Sequence, residues 1–181
     1  MPYFTSRHLI VVAAFAACWA VLNALISPIF WELTHMPFLC DLLAFLSLTV
    51  VVWWTRRFGA ATLTGLVVTA LTLVLRPVAF QILGFAVASL VFDVLTKAVG
   101  YRNCLDRGLT SASCIVASST VSAAVAGATI GSLFMNLTAL GAILTFAGLH
   151  AIGGVIGGVL GVVTVRALVA RKVAPAELRT T

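Results

Sequence analysis

Eleven lysines and arginines punctuate a chain that is otherwise a series of apolar runs, and ten of them fall in alternate gaps between those runs. Arg7 precedes the first run, Arg56 and Arg57 follow the second, and Lys97, Arg102 and Arg107 follow the fourth. Arg166, Arg171, Lys172 and Arg179 follow the hydrophobic part of the last, and Arg76 alone occupies the intervening gaps. Basic residues beside a span stay cytoplasmic during insertion, so an alternation this strict orients a membrane protein. The expected fold is all-α and integral to the membrane: a six-transmembrane-helix bundle with cytoplasmic N- and C-termini.

The expected spans are 8–27, 38–55, 59–75, 78–99, 109–131 and 138–165, forming one membrane domain over 1–181. Runs near 20 residues match a hydrocarbon core of about 30 Å. The 62% hydrophobic content, 9% charged content and mean hydropathy of +1.17 argue against a soluble fold. At 181 residues there is no room for a soluble catalytic or nucleotide-binding domain, so energy for any transport comes from an ion gradient or a partner. The net charge of +6 lies mostly in the basic turns, where topology and anionic lipid account for it. Nucleic acid is therefore not an expected partner.

Cys18, Cys40, Cys104 and Cys114 are scattered, with no CxxC pair and no adjoining histidine, so they read as small apolar or incidental residues with no metal site. The first run resembles the apolar part of a signal peptide, but Ile29, Phe30, Trp31 and Glu32 follow it in place of a small-residue cleavage site, so it reads as a mature span. Short links at 56–58 and 76–77 predict that spans two to four form an antiparallel meander of neighbours. The longest outer connection, 28–37, is aromatic and bracketed by Pro28 and Pro37. Span five is rich in Ser, Ala and Gly, a composition for close helix contact, and is expected inside the bundle. Span six repeats Gly153, Gly157 and Gly161 at four-residue steps, with Gly154 and Gly158 beside them. Such a stripe admits another backbone, and His150 shares its face.

Span one carries Ala13 and Ala17 four apart, with Ala16 and Ala20 on an adjoining strip. Small residues at this spacing serve internal packing or docking to a partner. With its six expected spans, long first outer loop and alanine AxxxA pattern, the chain resembles the substrate-binding membrane subunits, or S components, of energy-coupling factor (ECF) ABC transporters. The resemblance covers nearly the whole chain as architecture. It implies docking of Ala13, Ala17, Ala16 and Ala20 to a coupling transmembrane subunit that rests on two cytoplasmic ABC ATPases, in the cytoplasmic membrane of a prokaryote. It also implies capture of a vitamin-like small molecule on the outer side and delivery inward as the bundle topples. The family's metal-specific branch begins Met-His, whereas this chain begins Met1-Pro2-Tyr3, so a transition metal is disfavoured. No cofactor is expected.

The resemblance places a ligand under the first outer loop. Trp31 can stack on a flat ring or cation, Glu32 and Asp41 can accept from amino groups, and His35 can donate or accept. Interfacial anchoring is the plainer reading of Trp31 and Glu32. Arg76 can hold a carboxylate or phosphate, or pair with Glu32 or Asp41. Gln81 and Asn136, with Asn23, stand near outer span ends, where they can meet a ligand or serve as solvated caps. His150 falls about 18 Å into span six, at mid-membrane depth, as a ligand or gating residue or as a neutral histidine bonded to the serines of span five. The Trp-Glu-His group favours a heteroaromatic or cationic ligand, a thiamine-like compound or pyrimidine precursor ahead of other vitamins. Asp93 and Lys97, four apart, read as a structural pair, and Trp53 and Trp54 as an interface anchor beside Arg56 and Arg57.

Two other classes compete. A self-associating scaffold or small channel, built through the alanine and glycine stripes, would be a stable homo-oligomer without an organic ligand. A membrane enzyme needs clustered catalytic groups, and no HExxH, GxSxG or paired-acid motif occurs, so no enzymatic activity is expected.

Overall fold

The computed structural model describes residues 3–106 and 108–173. Arg107 and Arg179 of the charge pattern lie outside the described residues. Among the described residues every regular element is a helix: α1 (Ser6–Thr34), α2 (Phe38–Thr55), α3 (Ala60–Leu75), α4 (Ile82–Val99), the short α5 (Tyr101–Leu105), α6 (Gly108–Thr129) running into a π-helical turn (Ile130–Phe134), and α7 (Leu140–Ala170). Five of these segments are long and apolar enough to cross a bilayer, the make-up of a multi-pass membrane protein. The remaining long helix, α3, has 16 residues and spans about 24 Å.

α1 runs further than the sequence implies. Pro28 leaves one backbone carbonyl unpaired but does not end the helix, and Thr34 closes it by donating to the Phe30 carbonyl at 2.8 Å. His35 then turns the chain in the left-handed region at φ 53°. The expected 28–37 loop is thus mostly helix, with a short connection before α2. At α4 the correction is opposite. Pro77 and a turn through 77–81 delay the start from 78 to Ile82.

The helices form a closed ring in the order α1, α3, α4, α6, α7, α2. The meander holds for α3 on α4, but α2 packs chiefly on α7 and only lightly on α3. Glycines explain why. A Cβ on Gly157 would lie 2.9 Å from the Asp41 carbonyl oxygen, and one on Gly161 2.7 Å from the Thr49 side chain. Gly154 and Gly158 turn the other way, with Cβ positions 2.6 Å from the Ser119 carbonyl oxygen and 2.9 Å from its hydroxyl. α7 is therefore held between α2 and α6 by two adjoining glycine faces, which removes side-chain thickness where lipid offers little drive for helices to associate. As expected, α6 is interior along this contact: Ser119, Ser122, Ala123 and Ala126 are fully buried.

The main core joins Trp19, Phe45, Phe85 and Phe92 with Ala16 and Ala20. Trp53 is buried on Val165 instead of anchoring an interface, while Trp54 is half-buried beside it. Asp93 does not pair with Lys97. Its Oδ2 accepts from the Thr62 backbone N–H at 3.0 Å and the Thr62 hydroxyl at 2.9 Å, at the start of α3, where the helix dipole favours a carboxylate. Lys97 instead stands 6.0 Å from the Tyr101 ring centroid. The cysteines are not all incidental: Cys104 of α5 and Cys114 of α6 form a disulfide, which the turn between those helices brings about. Arg56 donates to Asp106 at 2.8 Å, tying the end of α2 to the end of α5. Cys18 and Cys40 are free.

Candidate functional site

A cavity of about 590 Å³ opens at the end of the bundle where α1 finishes and α2 begins. That volume suits a small organic molecule. Five segments build it. The last turns of α1 supply Asn23, Ser27, Phe30, Trp31 and Glu32, and the start of α2 adds Cys40. The 76–85 stretch contributes Arg76, Phe80, Gln81 and Phe85. The π turn contributes Ile130 and Phe134, and α7 contributes Phe146 and His150. A π turn widens the backbone and redirects side chains, a device frequent at functional sites. Here the Met135 N–H reaches back to the Ile130 carbonyl at 2.9 Å, and both residues face the cavity.

His150 sits ten residues into α7, yet its Nδ1 lies 3.0 Å from Asp41 Oδ1, in the first turn of α2. At 1.5 Å per residue α7 therefore overhangs the start of α2 by roughly 10 Å. His150 thus stands near the cavity end of α2 and not at the middle of the bundle as the sequence implied. Its partner also differs from expectation: it pairs with Asp41 of α2, while the Ser119 and Ser122 hydroxyls of α6 have no hydrogen-bond partner. Both members of the pair are sealed, His150 at 2% and Asp41 at 0% exposure. Phe146 stacks edge-on to the imidazole at 4.9 Å and Phe85 lies tilted at 5.9 Å, so the histidine is clamped from two helices. Gly127 of α6 and Gly153 of α7 provide the space: a Cβ on either would fall within 3 Å of His150 or of the Asp41 carboxylate. Two polar atoms remain without partners, Asp41 Oδ2 and His150 Nε2.

Five of the eight candidate ligand residues border the cavity: Trp31, Glu32, Arg76, Gln81 and His150. Asp41 does not; its carboxylate faces His150 and Gly153, so it acts on the site through the histidine. His35 caps α1, exposed, with its ring 6.1 Å from that of Trp31 but outside the cavity lining. Asn136 is exposed in a left-handed turn, φ 52°, also outside the lining. Among the described residues Arg76 forms no ion pair with Glu32 or Asp41. It is half-buried at the end of α3.

The sequence reading missed most of the aromatic wall, namely Phe30, Phe80, Phe85, Phe134 and Phe146, and the Asn23–Ser27 pair, in which the Ser27 hydroxyl donates to Asn23 Oδ1 at 2.8 Å. Phenylalanines in apolar spans carry no mark of which face a cavity, whereas the four-residue spacing of Asn23 and Ser27 was readable as a helical contact.

The four alanines of α1 separate. Ala16 and Ala20 are wholly buried in the core, while Ala13 and Ala17, on the adjoining strip of the helix, are exposed. Among the described residues no cluster of three or more His, Cys, Asp or Glu side chains could hold a metal ion. No family model, no curated protein and no solved structure matches the chain.

Proposed function

We propose that this chain is a substrate-capture subunit of a membrane importer: a six-span bundle with cytoplasmic termini that takes a vitamin-like molecule into the 590 Å³ cavity and hands it to an ATP-driven coupling module. The carrying observation is the cavity itself, bordered by His150, which the buried Asp41 holds from behind, and walled by aromatic side chains. It opens at the end of the bundle bearing Arg76, opposite the end with Arg56 and Arg57, so the positive-inside rule sets its mouth outside. The count of six includes α3, which is short for a span and is accommodated by local thinning of the bilayer.

The partner reading follows the resemblance to ECF S components and rests on α1. Ala13 and Ala17 form the exposed part of the small-residue strip, where a coupling transmembrane subunit can approach, with two ABC ATPases beneath it. Ala16 and Ala20 support that face from within. The glycine stripe of α7, by contrast, is already occupied by α2 and α6, which takes away the main surface of the scaffold reading. No group in the cavity is arranged for catalysis in this account, and the chain acts by binding and movement.

The test is reconstitution. The chain, co-expressed with the ABC ATPase pair and coupling subunit of its own cell, should purify in one complex whose ATP-dependent uptake of the bound molecule into vesicles is lost in Ala17→Trp. A chain that runs as a stable homo-oligomer and imports nothing overturns the proposal.

A further inference from the structure

The walls of the cavity are of unequal height. Val12 of α1 and Ala60 at the start of α3 pack in one cluster with Val51, which sets the two helices level at the inner end. From Val12 to Thr34 α1 rises about 33 Å, whereas α3 rises only about 22 Å from Ala60 to Leu75. Val165 of α7 packs on Trp53, and from there to Leu140 that helix rises about 37 Å. The ring sets α3 beside α4, so the turn 77–81 that joins them is a low sill between the taller α1 and the π turn of α6. A rise of about 22 Å falls short of a hydrocarbon core of about 30 Å, which brings the sill to the outer edge of the bilayer and not into open water.

The side chains along this edge are those of a lipid boundary. Val78, Phe80 and Leu133 line the cavity and are at the same time 78%, 55% and 68% exposed, so each faces both the cavity and the surroundings. Among the described residues eight on the lining are exposed, and all but Glu32 and Gln81 are apolar. A mouth that opened to water would carry a polar rim, whereas a continuous apolar edge marks contact with a membrane. Within the capture reading, on which the substrate class rests, we infer that the ligand is a bilayer-dissolved amphiphile that enters sideways from the outer leaflet, over the sill at 77–81.

The lining suits such a molecule. Phe85, Phe134 and Phe146 offer an apolar wall for a ring or short chain. Arg76 and Gln81 flank the sill, where headgroups and their water begin, and between them they can donate to or accept from a polar group of either sense. An amphiphile already concentrated in the leaflet therefore keeps its polar end at the interface while its apolar body passes from lipid to protein.

Cys40, a free thiol half-buried on the lining, reports the route. The full chain is placed in phosphatidylcholine vesicles, and labelling of Cys40 is followed by peptide mapping with two uncharged probes. N-hexylmaleimide dissolves in the bilayer, and a glucose-linked maleimide stays in water. Val78→Asp, which puts a charge on the exposed sill, should slow the hexyl probe about tenfold or more, as a charge in an apolar path does, and leave the glucose-linked probe unchanged. Slowing of both probes alike, or of neither, overturns lateral entry. The molecule released on denaturing the purified wild-type chain gives the second reading. The inference expects a stoichiometric amphiphile that partitions from water into vesicles. A stoichiometric ligand that remains in the water overturns the substrate class while leaving capture intact. An empty preparation defeats capture, and the substrate class falls with it, while the labelling still decides the route.

Discussion

Replacing Gly157 with alanine should destabilise the bundle, although alanine is the better helix former. A Cβ at that position would lie 2.9 Å from the Asp41 carbonyl oxygen, 3.1 Å from Leu42 Cα and 3.1 Å from Phe45 Cβ, where ordinary contact begins at 3.4 Å. The first two atoms belong to the backbone and cannot rotate away. α2 and α7 must therefore part by about 0.3–0.5 Å, a gap that loses up to a quarter of the dispersion energy of each contact it opens. Overpacking of this kind costs about 1–3 kcal/mol, and exchanging glycine for alanine in a helix returns up to about 1 kcal/mol. With that full amount returned the net loss is up to about 2 kcal/mol, or up to about 8 °C in Tm for a chain of this size. Gly148, nine residues earlier on the same helix, is the internal control, because a Cβ there meets nothing within 4 Å. Gly148→Ala should melt at or slightly above the parent temperature. Thermal unfolding in mild detergent, followed by tryptophan fluorescence, reads both. Shifts of the same sign in the two variants would refute the claim that close backbone approach holds α7 in place.

Other changes probe single links. Asp41→Ala leaves His150 Nδ1 buried without its partner and should cost about 1–3 kcal/mol, whereas Asp41→Asn, which keeps an oxygen near Nδ1, should cost less; indistinguishable melting curves for the two would contradict the pairing. Thr62→Val removes the hydroxyl donor to Asp93 but keeps the backbone one, and should lower stability by about 1 kcal/mol, a loss that largely disappears when Asp93 is already Ala. Arg56→Ala should shift stability by less than about 1 kcal/mol, because its partner Asp106 is exposed. A denatured, non-reduced sample should take up two maleimide groups, at Cys18 and Cys40, and four after reduction; four before reduction would mean that Cys104 and Cys114 stand as thiols, the usual state in a reducing cytoplasm.

The helical class and the long apolar segments were legible because lipid imposes one period and one length on every span. Partner choice was less so. The glycines of the last helix announced a close approach, but that Gly153, Gly157 and Gly161 meet α2 while Gly154 and Gly158 meet α6 depends on a 100° turn per residue acting on two neighbours at once. The Asp41–His150 pair spans 109 residues, and a local reading offered nearer candidates for each member: a ligand for Asp41, the serines of α6 for His150. Asp93 misled for the opposite reason. A charge four residues away was visible in the sequence, while the open N-terminus of α3 that in fact binds its carboxylate was not. Pro28 read as a loop boundary because proline removes a donor, but one missing bond within a 29-residue helix is tolerated when the flanking turns remain paired. That extension carried Trp31 and Glu32 onto a helix and, with it, onto the cavity wall.

The capture account stands most directly on what the cavity holds. Native mass spectrometry of the intact chain, released gently from detergent, weighs protein and ligand together. The account predicts a monomer carrying one small molecule, and loss of that molecule in His150→Leu without a change in oligomeric state. An unliganded parent chain, or a ligand retained equally by His150→Leu, would contradict it.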